Sequence, residues 1–263
     1  DLLYPRETVA EWYMKESGVD KMTGAVGKAA QLGMKAYLKR QFDMPHIPIP
    51  ERPSLDLPLG PSVEAQLRKV VDAVQDADKP VLVIGNQAMV NLKPAEADEL
   101  ATAVKALGLP TFLGGSSRGL LGRHSDIQFR HKRTAALKEA DVVIVAGFPF
   151  DFRMGYGQKI NKKANLVSIN LDPVALKKNR KPTHAVQTHP GRFLMKLSRA
   201  VGTRRDIGPW FEALRAREDA READIAQRAT DQGPRVDPVL LFQRIEEKID
   251  DNSVLIVDGG DFV

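Results

Sequence analysis

Four short stretches of this sequence carry side chains suited to holding a phosphate or a ribose, and each follows an apolar run. Asp151-Phe152-Arg153 follows Gly147 and the run DVVIVA. A guanidinium there could grip a diphosphate through its fork of donors, with Asp151 orienting it. An ion pair internal to the chain accounts for the same two residues equally well. The stretch GGSSRGLLGR (114–123) sets Arg118, Gly119 and Arg123 among serines and further glycines. That composition suits a loop wrapped around an anion, or a mobile surface loop. Gly85-Asn86-Gln87 closes the run PVLVI. Glycine lets a ligand approach the backbone, and the N–H groups after it can face a phosphate, although a plain strand-to-helix turn has the same residues. Asn170-Leu171-Asp172-Pro173 closes NLVSIN. An acid placed there can accept hydrogen bonds from a ribose hydroxyl, and an Asp before Pro is also a good helix N-cap.

Other chemistries find little support. There is no cysteine, so disulfides, thiolate metal sites and cysteine nucleophiles are excluded within the 263 residues. The five histidines (His46, His124, His131, His184 and His189) show no metal-ligand spacing and read as surface or turn residues. No nucleophile–base arrangement is evident. The patterns HExxH, GxxxxGK[ST] and GxGxxG are absent, the last disfavouring an ordinary NAD dehydrogenase. A net charge of +5 suits small anionic ligands. Without an aromatic-interleaved basic stripe it does not point to nucleic acid. No apolar run is long enough to cross a bilayer, and the start carries no signal-peptide pattern.

The elements that must position these residues are read from the apolar runs. Buried parallel strands are unbroken Val/Ile/Leu stretches, which predicts strands over 80–85, 109–113, 141–146, 165–170 and near 185–189. Between and after them, helical periodicity runs from Ser62, over 94–107 with Gly108 as a C-terminal stop, over 131–140, briefly from Pro173, and over 191–201. This is an α/β fold, a parallel sheet flanked by helices with right-handed crossovers. Ligands in such folds gather past the carboxyl ends of the strands. Residues 24–42 form an amphipathic helix, either membrane-surface or packed in a linker, and the proline-rich stretch after it reads as an extended connector. Residues 208–233 form a long charged helix with a solvated face, 237–249 another helix, and 252–262 a further strand with glycines at its end.

The segments FLGGSSRGLLGR, AALKEADVVIVAGFPFDFRMGYG and DNSVLIVDGGDFV, with INLDPVALKKNR, resemble those of thiamine-diphosphate-dependent enzymes of the acetolactate synthase type. That group includes lyases of 2-hydroxyacyl-CoA. The resemblance covers most of the chain, most firmly from Lys79 onward, and DLLYP resembles the exit from the family's first domain. It implies a division into 1–20 (tail of a pyrimidine-binding domain), 21–60 (linker), 61–205 (central nucleotide-binding domain), 206–236 (linker helix) and 237–263 (start of a diphosphate-binding domain). It also implies that no catalytic residue lies here. The pyrimidine-activating glutamate would precede Asp1, and the magnesium motif GDG…N would follow Val263, so this stretch alone would be inactive.

In relatives the central domain binds FAD or the ADP part of a CoA substrate. The corresponding positions are Gly85, Asn86, Gln87, Arg118, Gly119, Gly147, Arg153, Asn170 and Asp172. Arg118 stands where many relatives carry methionine. Gly259, Gly260, Asp261 and Phe262 match a turn that reaches the thiamine diphosphate, with backbone N–H groups as the suitable donors. The full protein would use thiamine diphosphate and magnesium to break or form a C–C bond in a 2-keto acid or 2-hydroxyacyl-CoA. It would work as a homo-oligomer (dimer or tetramer), in the cytoplasm or associated with the endoplasmic reticulum membrane. The alternative is a stand-alone nucleotide-binding regulatory module without catalysis.

Overall fold

Runs that are apolar on both faces have to be covered on both faces, and the strands show this directly. A computed structural model describes residues 6–42, 61–229, 236–250 and 253. Within it, β1 (Pro80–Ile84) and β3 (Val142–Ala146) are buried at every residue. With β2 (Thr111–Leu113), β4 (Asn165–Asn170) and β5 (His184–Gln187) they form one five-stranded sheet in the order β2-β1-β3-β4-β5. Every pairing is parallel, with Leu82 opposite Thr111 on one side and Ile144 on the other. Because β1 connects outward to β2 and the chain then returns to β3 across β1, the winding reverses between β1 and β3. That switch point is where an open sheet leaves a crevice.

The covering helices are α3 (Pro61–Gln75), α4 (Pro94–Leu107), α5 (Arg133–Glu139) and α6 (Pro190–Ala200). Their ends follow local chemistry. Pro94 sits in the first turn of α4, the Glu96 carboxylate accepts the Lys93 N–H at 3.0 Å, and Gly108 leaves the helix in the left-handed region at φ 53°. Asp141 secures the entry to β3 by accepting the N–H groups of Asp78 and Lys79 at 2.8 and 2.9 Å. In α6, Phe193, Leu194 and Leu197 are fully buried.

Two sequence expectations need correction. First, no helix follows Pro173. The segment makes successive turns, Leu176 N–H to Asp172 O at 3.2 Å and Lys178 N–H to Val174 O at 3.1 Å, and then reaches Asn179 in the left-handed region, whose Nδ2 donates to Phe150 O at 2.8 Å. From that anchorage the chain passes directly to β5, Thr183 N–H donating to Leu166 O at 2.8 Å. Second, His189 is buried. It caps α6, its Nδ1 accepting the Arg192 N–H at 3.2 Å while Nε2 faces Val90 O at 2.8 Å. The long charged helix α7 (Gly208–Arg228) has the expected solvated face. Its helix-spaced pairs, Arg221 and Arg228 with Asp224, are present as expected. Its other face buries Trp210, Leu214 and Glu218, and Trp210 Nε1 donates to Pro80 O at 3.1 Å.

At the start of the chain, α1 (Arg6–Glu16) and α2 (Gly24–Phe42) pack on each other across residue 20, burying Val9 and Leu38. Near the other end α8 (Pro238–Glu246) begins with the Asp237 carboxylate accepting two backbone N–H groups. No helix among the described residues is long and apolar enough to cross a membrane. The proline-rich connector and the strand expected over 252–262 lie outside the described residues, apart from Ser253.

Candidate functional site

The carboxyl tips of β1, β3 and β4 come together as the topology requires, and the residues there are stitched to one another. Gly85 N–H donates to Ala146 O at 2.8 Å and Gln87 N–H to Gly147 O at 3.2 Å. The Gln87 side chain reaches β4 and accepts the Leu171 N–H at 3.0 Å. Asn170 Oδ1 accepts the Asp172 N–H at 2.8 Å, and Asp172 Oδ1 accepts the Val174 N–H at 2.8 Å. Asn86 Oδ1 accepts the Ser116 N–H at 2.7 Å, joining the β1 tip to the glycine-rich loop after β2. Two glycines are required by close packing. A Cβ on Gly85 would lie 2.5 Å from Gly147 O, and Gly147 has φ +73° with Ala88 N 2.7 Å from where a Cβ would stand.

Phe148 explains this tightness and is the residue that sequence reasoning missed. It is buried, and its ring lies against both Gly85 and Gly114. The Arg153 guanidinium sits 5.3 Å from the ring centroid and that of Arg133 5.8 Å. The signal available in the sequence was the aromatic cluster GFPFDF directly after β3. Arg153 is locked by Asp151, its Nε donating to both carboxylate oxygens at 3.1 and 3.0 Å. Asp151 also accepts the Arg153 backbone N–H at 3.0 Å. This hydrogen-bonded partner raises the guanidinium's pKa above its ordinary value. The chain then kinks: Gly155, Tyr156 and Gly157 all have positive φ, which for tyrosine is a costly conformation.

A concavity of about 700 Å³ opens on the outer flank of the sheet between β2 and residues 128–134. Arg118, Arg130, Lys132 and Arg133 line it, and no acidic residue does. Its floor is held by α7. Both Glu218 oxygens accept backbone N–H groups, Arg130 at 2.8 Å and His131 at 2.9 Å, while the Arg215 guanidinium lies 4.6 Å from the Phe129 ring centroid. Burial, followed by the like charge of Arg118, holds Arg133 below the usual guanidinium value.

Arg118 thus lines this flank pocket with Arg133, whose guanidinium donates to Arg153 O at 2.6 Å and joins the pocket to the Arg153–Asp151 pair. Gly119 is exposed, with open space around it. Gly259, Gly260, Asp261 and Phe262 lie outside the described residues. The run Gly115–Gly119 has the spacing G-x-S-x-G, which sequence reasoning overlooked. Its Ser117 is buried with Oγ shared between Ile84 O at 2.8 Å and Gly114 O at 2.9 Å, a structural rather than a nucleophilic setting. Among the described residues His131, Glu218 and Glu222 gather their ligand atoms within 4.8 Å of one another. Both oxygens of Glu218 already serve backbone amides, and His131 Nε2 already pairs with Glu222 at 2.9 Å.

Comparison with known proteins agrees with this architecture. Residues 67–197 match the family model described as the central domain of thiamine pyrophosphate enzymes. The chain is 36% identical over 245 residues to 2-hydroxyacyl-CoA lyase 2 of Homo sapiens, covering 91% of this chain and 38% of that protein. It is 39% identical over 269 residues to the protein of the same name from Mus musculus, covering 100% of this chain and 42% of that protein. It is 26% identical over 209 residues to a probable acetolactate synthase of Mycobacterium bovis, covering 79% of this chain and 37% of that protein. The chain therefore spans about two fifths of the length of the curated relatives it matches. A parallel sheet wound 2-1-3-4-5, the matched central domain and the relatives at both identity levels agree: the chain belongs to the thiamine-diphosphate-dependent enzymes of the acetolactate synthase type.

Proposed function

We propose that the protein is a thiamine-diphosphate-dependent C–C lyase or carboligase, and that this chain supplies the domain that anchors the nucleotide end of its ligand. The observation that carries the reading is the switch point between β1 and β3. There the tips of three parallel strands converge beneath a guanidinium, Arg153, held in place by Asp151 and by the ring of Phe148. A preorganised fork of donors suits a diphosphate. Asp172, past the tip of β4, suits a ribose hydroxyl. Gly119 leaves the loop after β2 open to close approach. The relatives named for 2-hydroxyacyl-CoA favour a CoA thioester over FAD as the ligand.

Thiamine diphosphate, when bound, supplies a carbanion that attacks a carbonyl and then accepts the electrons of the breaking C–C bond. The described residues offer cations and amides, the complement of phosphate. Among the described residues the atoms of the His131, Glu218 and Glu222 cluster are engaged within the chain. What this chain contributes is binding and orientation: Arg153 fixes the phosphates, and Asp151 keeps Arg153 from swinging into solvent.

The test is calorimetric titration of the full-length protein with CoA, ADP and FAD, together with an assay of 2-hydroxyacyl-CoA cleavage. Binding of CoA and ADP that weakens about tenfold in Arg153→Gln is the expected result. Cleavage activity with no nucleotide binding by this domain would leave the lyase assignment standing and remove the anchoring role.

A further inference from the structure

We infer that α2 docks on the anionic surface of a lipid bilayer, with the turn after Pro173 beside it. Two independent observations converge on this face. The first is charge. From Lys21 to Phe42 the chain carries five cations (Lys21, Lys28, Lys35, Lys39 and Arg40) and no acid. Among the described residues Lys28, Lys35, Lys39 and Arg40 have no ion-pair partner. A concavity of about 720 Å³ carries the patch onward. Lys39 and Arg40 line it from α2, Lys177 and Lys178 line it from the turn, and no acidic residue does. The second observation is apolar surface. α2 has already packed on α1, burying Leu38, and the Gln31 amide ties it to the carbonyls of Val19 and Met22 at 3.2 and 3.1 Å. Val26 and Leu32 are left out of that packing, 75% and 71% exposed.

Together the two features select the occupant. A dissolved phosphate would pair with the cations and leave Val26 and Leu32 in water. A bilayer surface offers both partners in one plane, headgroup phosphates for the cations and the edge of the acyl region for the apolar side chains. Lysine suits that boundary, because its stem lies along apolar surface while its ammonium reaches the headgroups. Of the four acids between Arg6 and Asp20, three (Glu7, Glu11 and Asp20) line the groove between α1 and α2. Lys35 and Lys39 border that groove too, whereas Lys28, Arg40 and Lys177 take no part in it. The attachment is to a surface: no helix among the described residues is long and apolar enough to cross a membrane. Neither the strand tips nor the flank pocket takes part, so the nucleotide reading and this one stand or fall separately.

The experiment is sedimentation of the full-length protein with two kinds of vesicle, pure phosphatidylcholine and phosphatidylcholine with about a third phosphatidylglycerol. The wild type should sediment with the anionic vesicles only, and about 0.5 M salt should weaken its binding. Lys28→Gln combined with Arg40→Gln should weaken binding by about twentyfold. Val26→Ser combined with Leu32→Ser should weaken it by about tenfold and leave the melting temperature unchanged, since both side chains are exposed. A wild type that does not bind the anionic vesicles overturns the proposal. So does binding that neither pair of substitutions alters, which puts the attachment elsewhere in the full-length protein. A loss confined to the charge pair reduces the face to ionic adhesion and overturns the docked helix. If vesicles are not bound but Val26→Ser with Leu32→Ser dissociates an oligomer, the face belongs to a second copy and the lipid assignment falls.

Discussion

The strand tips and the flank pocket belong to one sheet, yet their polar groups are treated in opposite ways. At the tips nearly every amide and side chain named by the sequence is committed within the chain: Gln87 to Leu171, Asn86 to Ser116, Asn170 to Asp172, Arg153 to Asp151. In the flank pocket Gln128 Oε1 and the Arg118 guanidinium are not. The tips are a joint between strands with one charged group displayed above it. The flank is a recess whose internal balance is incomplete. A residue type suited to ligand binding is therefore a weaker pointer than a buried polar group the fold leaves unsatisfied.

The difference can be broken by substitution. The largest effect is expected from Gly147→Ala, which forces an L side chain into the left-handed region and against Ala88 N. It should cost about 3 kcal/mol in urea denaturation with an unchanged m-value. A tolerated alanine would show that the tips have slack and that their tightness is not structural. Next is Glu218→Ala, which strips two backbone N–H groups under the flank pocket of their acceptor and should cost about 2 kcal/mol, with Glu218→Gln losing about half as much. Equal losses in the two variants would show that charge, not hydrogen bonding, holds the pocket floor.

A smaller effect follows from pH. Burial holds His189 below its ordinary value of 6.5, and burial does the same for His184. A histidine depressed in the folded state favours the neutral form there. Its contribution is fully present above 6.5 and is lost as pH falls from 6.5 toward the depressed folded value. The chemistry agrees: a proton on Nδ1 removes the acceptor for the Arg192 N–H at the α6 cap. His189→Asn keeps a capping group and should flatten the fall in melting temperature between about pH 7 and pH 5. An unaltered pH profile in that variant would remove His189 as the cause. The smallest change should come from Arg153→Gln, an exposed pair worth less than about 0.5 kcal/mol of stability. A large loss would mean that Arg153 belongs to the joint and not to a ligand.

The sheet was legible because its strands are unbroken apolar runs, and α4 could be bounded to the residue because Pro94 and Gly108 act locally. The pairing of Asp151 with Arg153 was legible because the two are adjacent on the same turn. What escaped depends on distant partners. Glu218 reads as one acid in a charged helix until its carboxylate meets amides 87 and 88 residues earlier. The absent helix after Pro173 reflects Asn179 reaching Phe150, 29 residues back. Gln128 is an ordinary polar residue until its burial is known. Phe148 was hidden because an aromatic after a strand usually means core, and here it also carries two guanidiniums.

Glu218 has one more consequence. Because a single carboxylate on α7 grips the backbone at Arg130 and His131, and Trp210 on the same helix grips Pro80, α7 cannot slide without loosening the recess beside β2. Displacing α7 requires either breaking the two carboxylate bonds or drawing the floor of the recess along with the helix.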